Sequence, residues 1–109
     1  MTTLVRLAAL ADVPAAGGLR IDRDAAGTDD DIALLRDADG AVYALDDTCT
    51  HYPASLARGW VVEGHVECPL HGARFDLRTG QEVSGAAVAA TRTHRVVVRD
   101  EVVYLVSEA

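Results

Sequence analysis

Nowhere in the sequence do apolar residues run to the 18 or more, about 27 Å of helix, that a membrane span needs. The first residues, MTTLVRLAALADVPAAGG, lack the basic start and long apolar stretch of a secretory signal, so a cytoplasmic protein is expected. Lysine is absent, and ten arginines face seventeen acidic residues, for a net charge of −7. That balance excludes nucleic acid, whose phosphates need a basic face, and an anionic membrane surface. It suits a positively charged protein partner, or simply keeps a small chain soluble. Five aromatic residues in 109 leave the core to Val, Leu, Ile and Ala. Two cysteines are too few for a disulfide framework, and in a cytosolic setting they read as metal ligands or buried thiols. The length suits one domain, residues 1–109, with a core small enough to gain from a bound metal.

What is present is mostly strand. Short apolar stretches recur at Leu4–Leu7, Leu19–Ile21, Ile32–Leu35, Val42–Leu45, Val61–Val62, Val66–Cys68 and Phe75–Leu77, and two longer ones close the chain at Arg95–Arg99 and Val102–Val106. Turn residues separate them. Asp37–Gly40 and Arg99–Glu101 predict hairpin turns, and the acidic stretch Asp22–Asp31 predicts an exposed loop. Ala8–Val13 alone has a helical cast, too short to stand by itself. The pattern predicts an all-β fold, an antiparallel sandwich or barrel.

One region breaks the pattern. Between Asp46 and Gly72 lie both cysteines, three of the four histidines, two of the three prolines and the only tryptophan. It contains Cys49-Thr50-His51, then sixteen residues, then Cys68-Pro69-Leu70-His71. Two Cys–His pairs can make a four-ligand site if their loops meet. The alternatives are two buried thiols with two ordinary histidines, or a structural zinc, although zinc modules usually group Cys with Cys and His with His. Trp60 reads as core, His65 as surface and His94 as a half-buried packing residue on a strand.

CTHYPASLARGW followed by CPLHGARFDLRTG resembles the two cluster loops of the Rieske family, closely from Cys49 to Gly80 and in outline elsewhere. The resemblance implies a Rieske-type β-sandwich or barrel with a small cluster-binding subdomain, about residues 46–80, formed by two loops. It implies one [2Fe–2S] cluster whose first iron is held by Cys49 and Cys68 and whose second is held by His51 and His71. Two ferric ions, two sulfides and two thiolates sum to zero charge, so this cluster accepts an electron more readily than a four-cysteine one, at roughly −150 to +300 mV. Gly72 is expected to let backbone approach the cluster, Pro69 to stiffen the second loop, and Tyr52, Pro53 and Leu70 to form an apolar collar.

Quinol-oxidising Rieske proteins carry an extra cysteine in each loop, at positions that here hold Ala54 and Leu70, and hydroxyls where this chain has Ala73 and Phe75. The sequence is instead similar to the stand-alone ferredoxins of bacterial ring-hydroxylating dioxygenase systems. That likeness implies a monomeric one-electron carrier, not an enzyme, working between a flavin-dependent ferredoxin reductase and a terminal oxygenase. An alternative is the small subunit of an assimilatory nitrite reductase, which shares Arg58-Gly59 and Leu77–Gly80; a further one is a metal-binding module without electron transfer. The family's third loop usually contains proline, whereas Ser84–Ala90 has none, which implies a more mobile loop and a wetter cluster.

Overall fold

The computed structural model describes residues 2–50, 54–70, 72–85 and 89–108. The apolar stretches form strands β1 (Thr2–Ala9), β2 (Gly18–Ile21), β3 (Ile32–Arg36), β4 (Val42–Asp46), β5 (Trp60–Val62), β6 (His65–Glu67), β7 (Arg74–Asp76), β9 (Val96–Arg99) and β10 (Val102–Glu108). A two-residue strand, β8 (Thr93–His94), joins them. Three antiparallel sheets result, in the orders β1-β10-β9, β2-β3-β4-β8 and β5-β6-β7.

β3 explains how so small a chain buries two apolar clusters. Successive strand side chains point to opposite faces. Ile32 and Leu34 therefore enter one cluster with Leu7, Val103 and Leu105, while Ala33 and Leu35 enter another with Leu56, Val66, Phe75, Cys49 and Cys68. β4 divides in the same way, Ala44 to the first cluster and Leu45 to the second. A strand covered on both faces needs a continuous apolar run, and IALL supplies it.

The predicted turns form. The Asp37 N–H donates to Ala41 O at 2.9 Å, and Gly40 takes the left-handed φ of +96° that this hairpin needs. Asp100 and Glu101 both have positive φ, 51° and 63°, the signature of a two-residue type I′ turn. The acidic stretch is not wholly loop. Asp22 accepts the Asp24 N–H and Gly27 ends the turn in the left-handed region, giving one helical turn, α1 (Arg23–Ala26). The helical cast of Ala8–Val13 becomes a single 3-10 turn at Leu10–Asp12.

Trp60 corrects the reading of it as core. Val61, Val66 and Phe75 of the third sheet point inward, so strand alternation turns Trp60 and Val62 outward, and the indole is 55% exposed. His65 opens β6 and is half-buried, not a free surface residue. His94 is half-buried as expected, and its Nε2 lies 2.7 Å from Asp46 Oδ1. Among the described residues, no helix is long and apolar enough to cross a membrane.

Candidate metal centre

Each cysteine starts a loop that closes on itself five residues later. The Cys49 N–H donates to Ala54 O at 2.9 Å, and the Cys68 N–H donates to Ala73 O at 2.7 Å. The second loop is the connection of the β6–β7 hairpin, so the ladder pair Glu67–Arg74 fixes its base. The first loop has an isolated antiparallel bridge, Thr48–Ser55, at its base in place of a hairpin ladder, and carboxylates add to its hold. Asp47, whose acidic side chain is buried, accepts from Ser55 Oγ at 2.8 Å and from the Ala57 N–H at 2.9 Å. Asp30 accepts from the Thr48 N–H and hydroxyl at 3.1 and 3.0 Å. A third segment reaches the first loop through Thr50, whose hydroxyl donates to Ala89 O at 2.6 Å.

The two loops bring their sulfurs together. Cys49 and Cys68 are 3% and 0% exposed, share one apolar cluster and hydrogen-bond to each other. Burial pushes the Cys68 thiol up to about 11; the Leu70 backbone N–H, aimed at the same sulfur, lowers it, and the neighbouring Cys49 raises it. A buried pair of sulfurs of this kind becomes a dithiolate only beside a cation, so the donor set fits an iron ion. His51 and His71, the other expected ligands, lie outside the described residues, as do Tyr52 and Pro53 of the expected collar. Leu70, the third collar residue, is exposed at the tip of its loop.

Glycine performs three different tasks here. Gly72 has φ +71°, and beyond its chain neighbours no described atom lies within 4 Å of where a Cβ would stand, so among the described residues the turn's conformation, not crowding, calls for it. At Gly59 a Cβ would fall 2.0 Å from Glu67 O, so the 3-10 turn Leu56–Arg58 packs directly on β6. Gly80 combines φ +75° with Thr91 O at 2.1 Å from the same hypothetical atom, which docks the turn after β7 on the segment leading to β8. In that turn Asp76 accepts from the Arg78 and Thr79 N–H groups at 2.8 and 3.0 Å. Burial raises the Asp76 carboxyl, but these donors outweigh it and hold it below its ordinary value.

Sequence reasoning found the Cys–His pairs but missed Asp47, Asp30 and the Thr50–Ala89 bond, which have no local signature. Two cysteine loops closed alike and meeting sulfur to sulfur beneath an antiparallel β-scaffold define an iron–sulfur domain. The Rieske [2Fe-2S] domain family matches residues 4–101, and the chain belongs to that family, with a Rieske-type [2Fe–2S] cluster as its cofactor. It is 45% identical over 76 residues to the 3-phenylpropionate/cinnamic acid dioxygenase ferredoxin subunit of Photorhabdus laumondii, covering 69% of this chain and 71% of that one. A solved complex of reduced oxygenase and oxidised ferredoxin in carbazole 1,9a-dioxygenase contains a chain that superposes with a TM-score of 0.81 at 31% identity, covering 96% of this chain and 94% of that one. A structure provisionally assigned as an NADPH nitrite reductase small subunit superposes with a TM-score of 0.80 at 28% identity, covering 96% and 99%. The protein is a ferredoxin of the dioxygenase kind, an electron carrier and not an enzyme. Its cluster, when bound, supplies one-electron exchange with no open coordination position for a substrate.

Proposed function

We propose that Cys49 and Cys68 hold one iron and His51 and His71 the other, and that the chain, a cytoplasmic monomer, carries electrons from a flavin-dependent reductase to a terminal oxygenase. The chain works as one domain whose cluster-binding subdomain runs from about 46 to 80. The observation that carries this reading is the buried contact between Cys49 and Cys68 across two matching loops. On this reading the partner approaches at the loop tips, where Leu70 is exposed.

The tip is electrically distinct from the body. Residues 48–55, 68–73 and 83–90 contain no Asp, Glu or Arg, so the whole charge of −7 lies outside them. Such a distribution lets charge orient the approach of a basic partner while the contact itself stays apolar. Leu70→Asp puts a carboxylate into that contact. Stopped-flow reduction of a terminal Rieske oxygenase by the reduced ferredoxin is expected to slow at least tenfold in this variant, with the visible spectrum unchanged. An unaltered rate would place docking elsewhere.

The nitrite reductase reading draws support from the 28% identical neighbour and from the shared glycines. Gly59 and Gly80 are required by close backbone packing, so any protein of this fold would share them, and they favour neither reading. A large subunit that co-purifies stably with the chain would favour the nitrite reductase.

A further inference from the structure

The third sheet packs one face and leaves the other bare. Its inner row, Val61, Val66 and Phe75, lies in the apolar cluster that contains both cysteines. Strand alternation turns Trp60, Val62, His65, Glu67 and Arg74 to the opposite face. There Trp60 and Val62, 55% and 58% exposed, line a cavity of about 140 Å³ together with Glu63, His65, Glu67 and Arg74. Burying an indole is favourable, so an open tryptophan beside a second open apolar side chain marks a surface that another molecule covers. Tryptophan and arginine are also the side chains that most often anchor contacts between proteins.

Position and charge say what covers it. Trp60 pairs with Glu67, and Glu67 with Arg74, in a row at the base of the second cluster loop. Glu67 directly precedes Cys68 and Arg74 directly follows Ala73, so this row holds the charged groups nearest in the chain to an uncharged loop tip. Glu67 is paired with Arg74 at 3.0 Å, whereas no ion pair among the described residues takes the exposed carboxylate of Glu63. The cavity therefore offers an aromatic ring and a carboxylate without a counter-charge, the two groups that attract a guanidinium or an ammonium. We infer that the outer face of the third sheet is part of the docking surface for the terminal oxygenase, and that it takes an arginine or lysine side chain of that partner against Trp60 and beside Glu63. The inference rests on the reading of the loop tip as the docking side. The work is then divided: the uncharged tip brings the cluster close to the acceptor, and the Trp60 face sets which partner binds and in what orientation.

Trp60→Ala tests this with a terminal Rieske oxygenase as the partner. Isothermal titration of the oxidised, cluster-loaded ferredoxin into the oxygenase should give a Kd raised about tenfold or more, as for an anchor residue at a contact. Stopped-flow reduction at saturating oxygenase should keep the parental rate, because the tip still delivers the electron. Trp60→Leu keeps an apolar side chain and lacks the aromatic ring, and should still bind about threefold more weakly than the parent. Glu63→Gln removes only the charge, and should weaken binding about two- to fivefold and flatten its salt dependence. It carries the test if the Trp60 variants lose the cluster. An unmoved Kd in Trp60→Ala or in Glu63→Gln would overturn the inference, and so would parental binding by Trp60→Leu, since no cation would then be held. A parent that sediments as a dimer, with Trp60→Ala a monomer, would also overturn it, because a second copy of the chain would be the occupant. Leu70→Asp reports on the tip separately. A parental rate in that variant, with Kd raised in Trp60→Ala, would fail the tip reading and uphold this face; the reverse pair of results would fail this face and uphold the tip.

Discussion

Asp47→Ala tests how the first cluster loop is held. The carboxylate is 4% exposed, and its Oδ1 accepts two hydrogen bonds, from Ser55 Oγ and from the Ala57 N–H. Removing it leaves the buried Ala57 N–H without an acceptor, at about 1–3 kcal/mol, and frees the Ser55 hydroxyl, at about 1 kcal/mol more. The sum, about 2–4 kcal/mol, is a large part of the roughly 5–15 kcal/mol that holds a domain of this size. In a domain of about 100 residues each kcal/mol moves Tm by about 4–8 °C, so a fall on the order of 10–25 °C is expected. Ser55→Ala removes one donor and leaves none stranded, and should lower Tm by only about 5 °C. Far-ultraviolet circular dichroism and visible absorbance, followed together at one scan rate, read the fold and the cluster separately. Because Asp47 braces the first loop directly, the visible signal should disappear before the strand signal in Asp47→Ala. A melting curve for Asp47→Ala that matches Ser55→Ala would refute the argument that the buried carboxylate anchors the loop.

Gly59→Ala and Gly80→Ala should each destabilise more than a surface substitution, by about 2 kcal/mol or beyond, because the new Cβ would stand 2.0 Å or 2.1 Å from a backbone oxygen; chemical denaturation checks this, and Gly72→Ala, which strains φ but meets no described atom beyond its chain neighbours, should cost less. Ala73→Ser and Phe75→Tyr place hydroxyls in the apolar cluster that contains both cysteines. A hydrogen bond stronger by about 1.4 kcal/mol in the reduced state corresponds to about 59 mV, so each substitution should raise the potential by some tens of millivolts, measured by protein-film voltammetry with the spectrum intact.

Strand positions were legible because alternation and turn residues are local signals. The reading of Ile32–Leu35 as a strand held although its run is continuous, and the structure gives the reason, since β3 faces an apolar cluster on each side. His94 was legible as a strand residue, but that Thr93 and His94 form a separate two-residue strand, β8, left no signal, because it depends on Leu45 and Ala44 beside them. Trp60 was misread for an instructive reason. Aromatic rings default to the interior, but Val61 next to it had already claimed the inward face of β5. The Cys–His motifs pointed to a candidate site because spacing within each loop is itself local, and the structure brings Cys49 and Cys68 of that set together. The supports of that site were hidden, since Asp47, Asp30 and Thr50 act across 8 to 39 residues and look, in sequence, like any polar loop residue.

Nitrogen coupling in the reduced protein tests the central claim most directly. Protein grown with ¹⁵N-histidine and reduced by one electron should show, by electron–nuclear double resonance, two histidine nitrogens coupled to the cluster, in a sample holding about two irons and two sulfides per chain. His51→Cys and His71→Cys should each remove the native signal. A chain that carries one zinc and no iron, or a reduced cluster with no coupled histidine nitrogen, would contradict the assignment of Cys49, His51, Cys68 and His71 as the ligands of a Rieske centre.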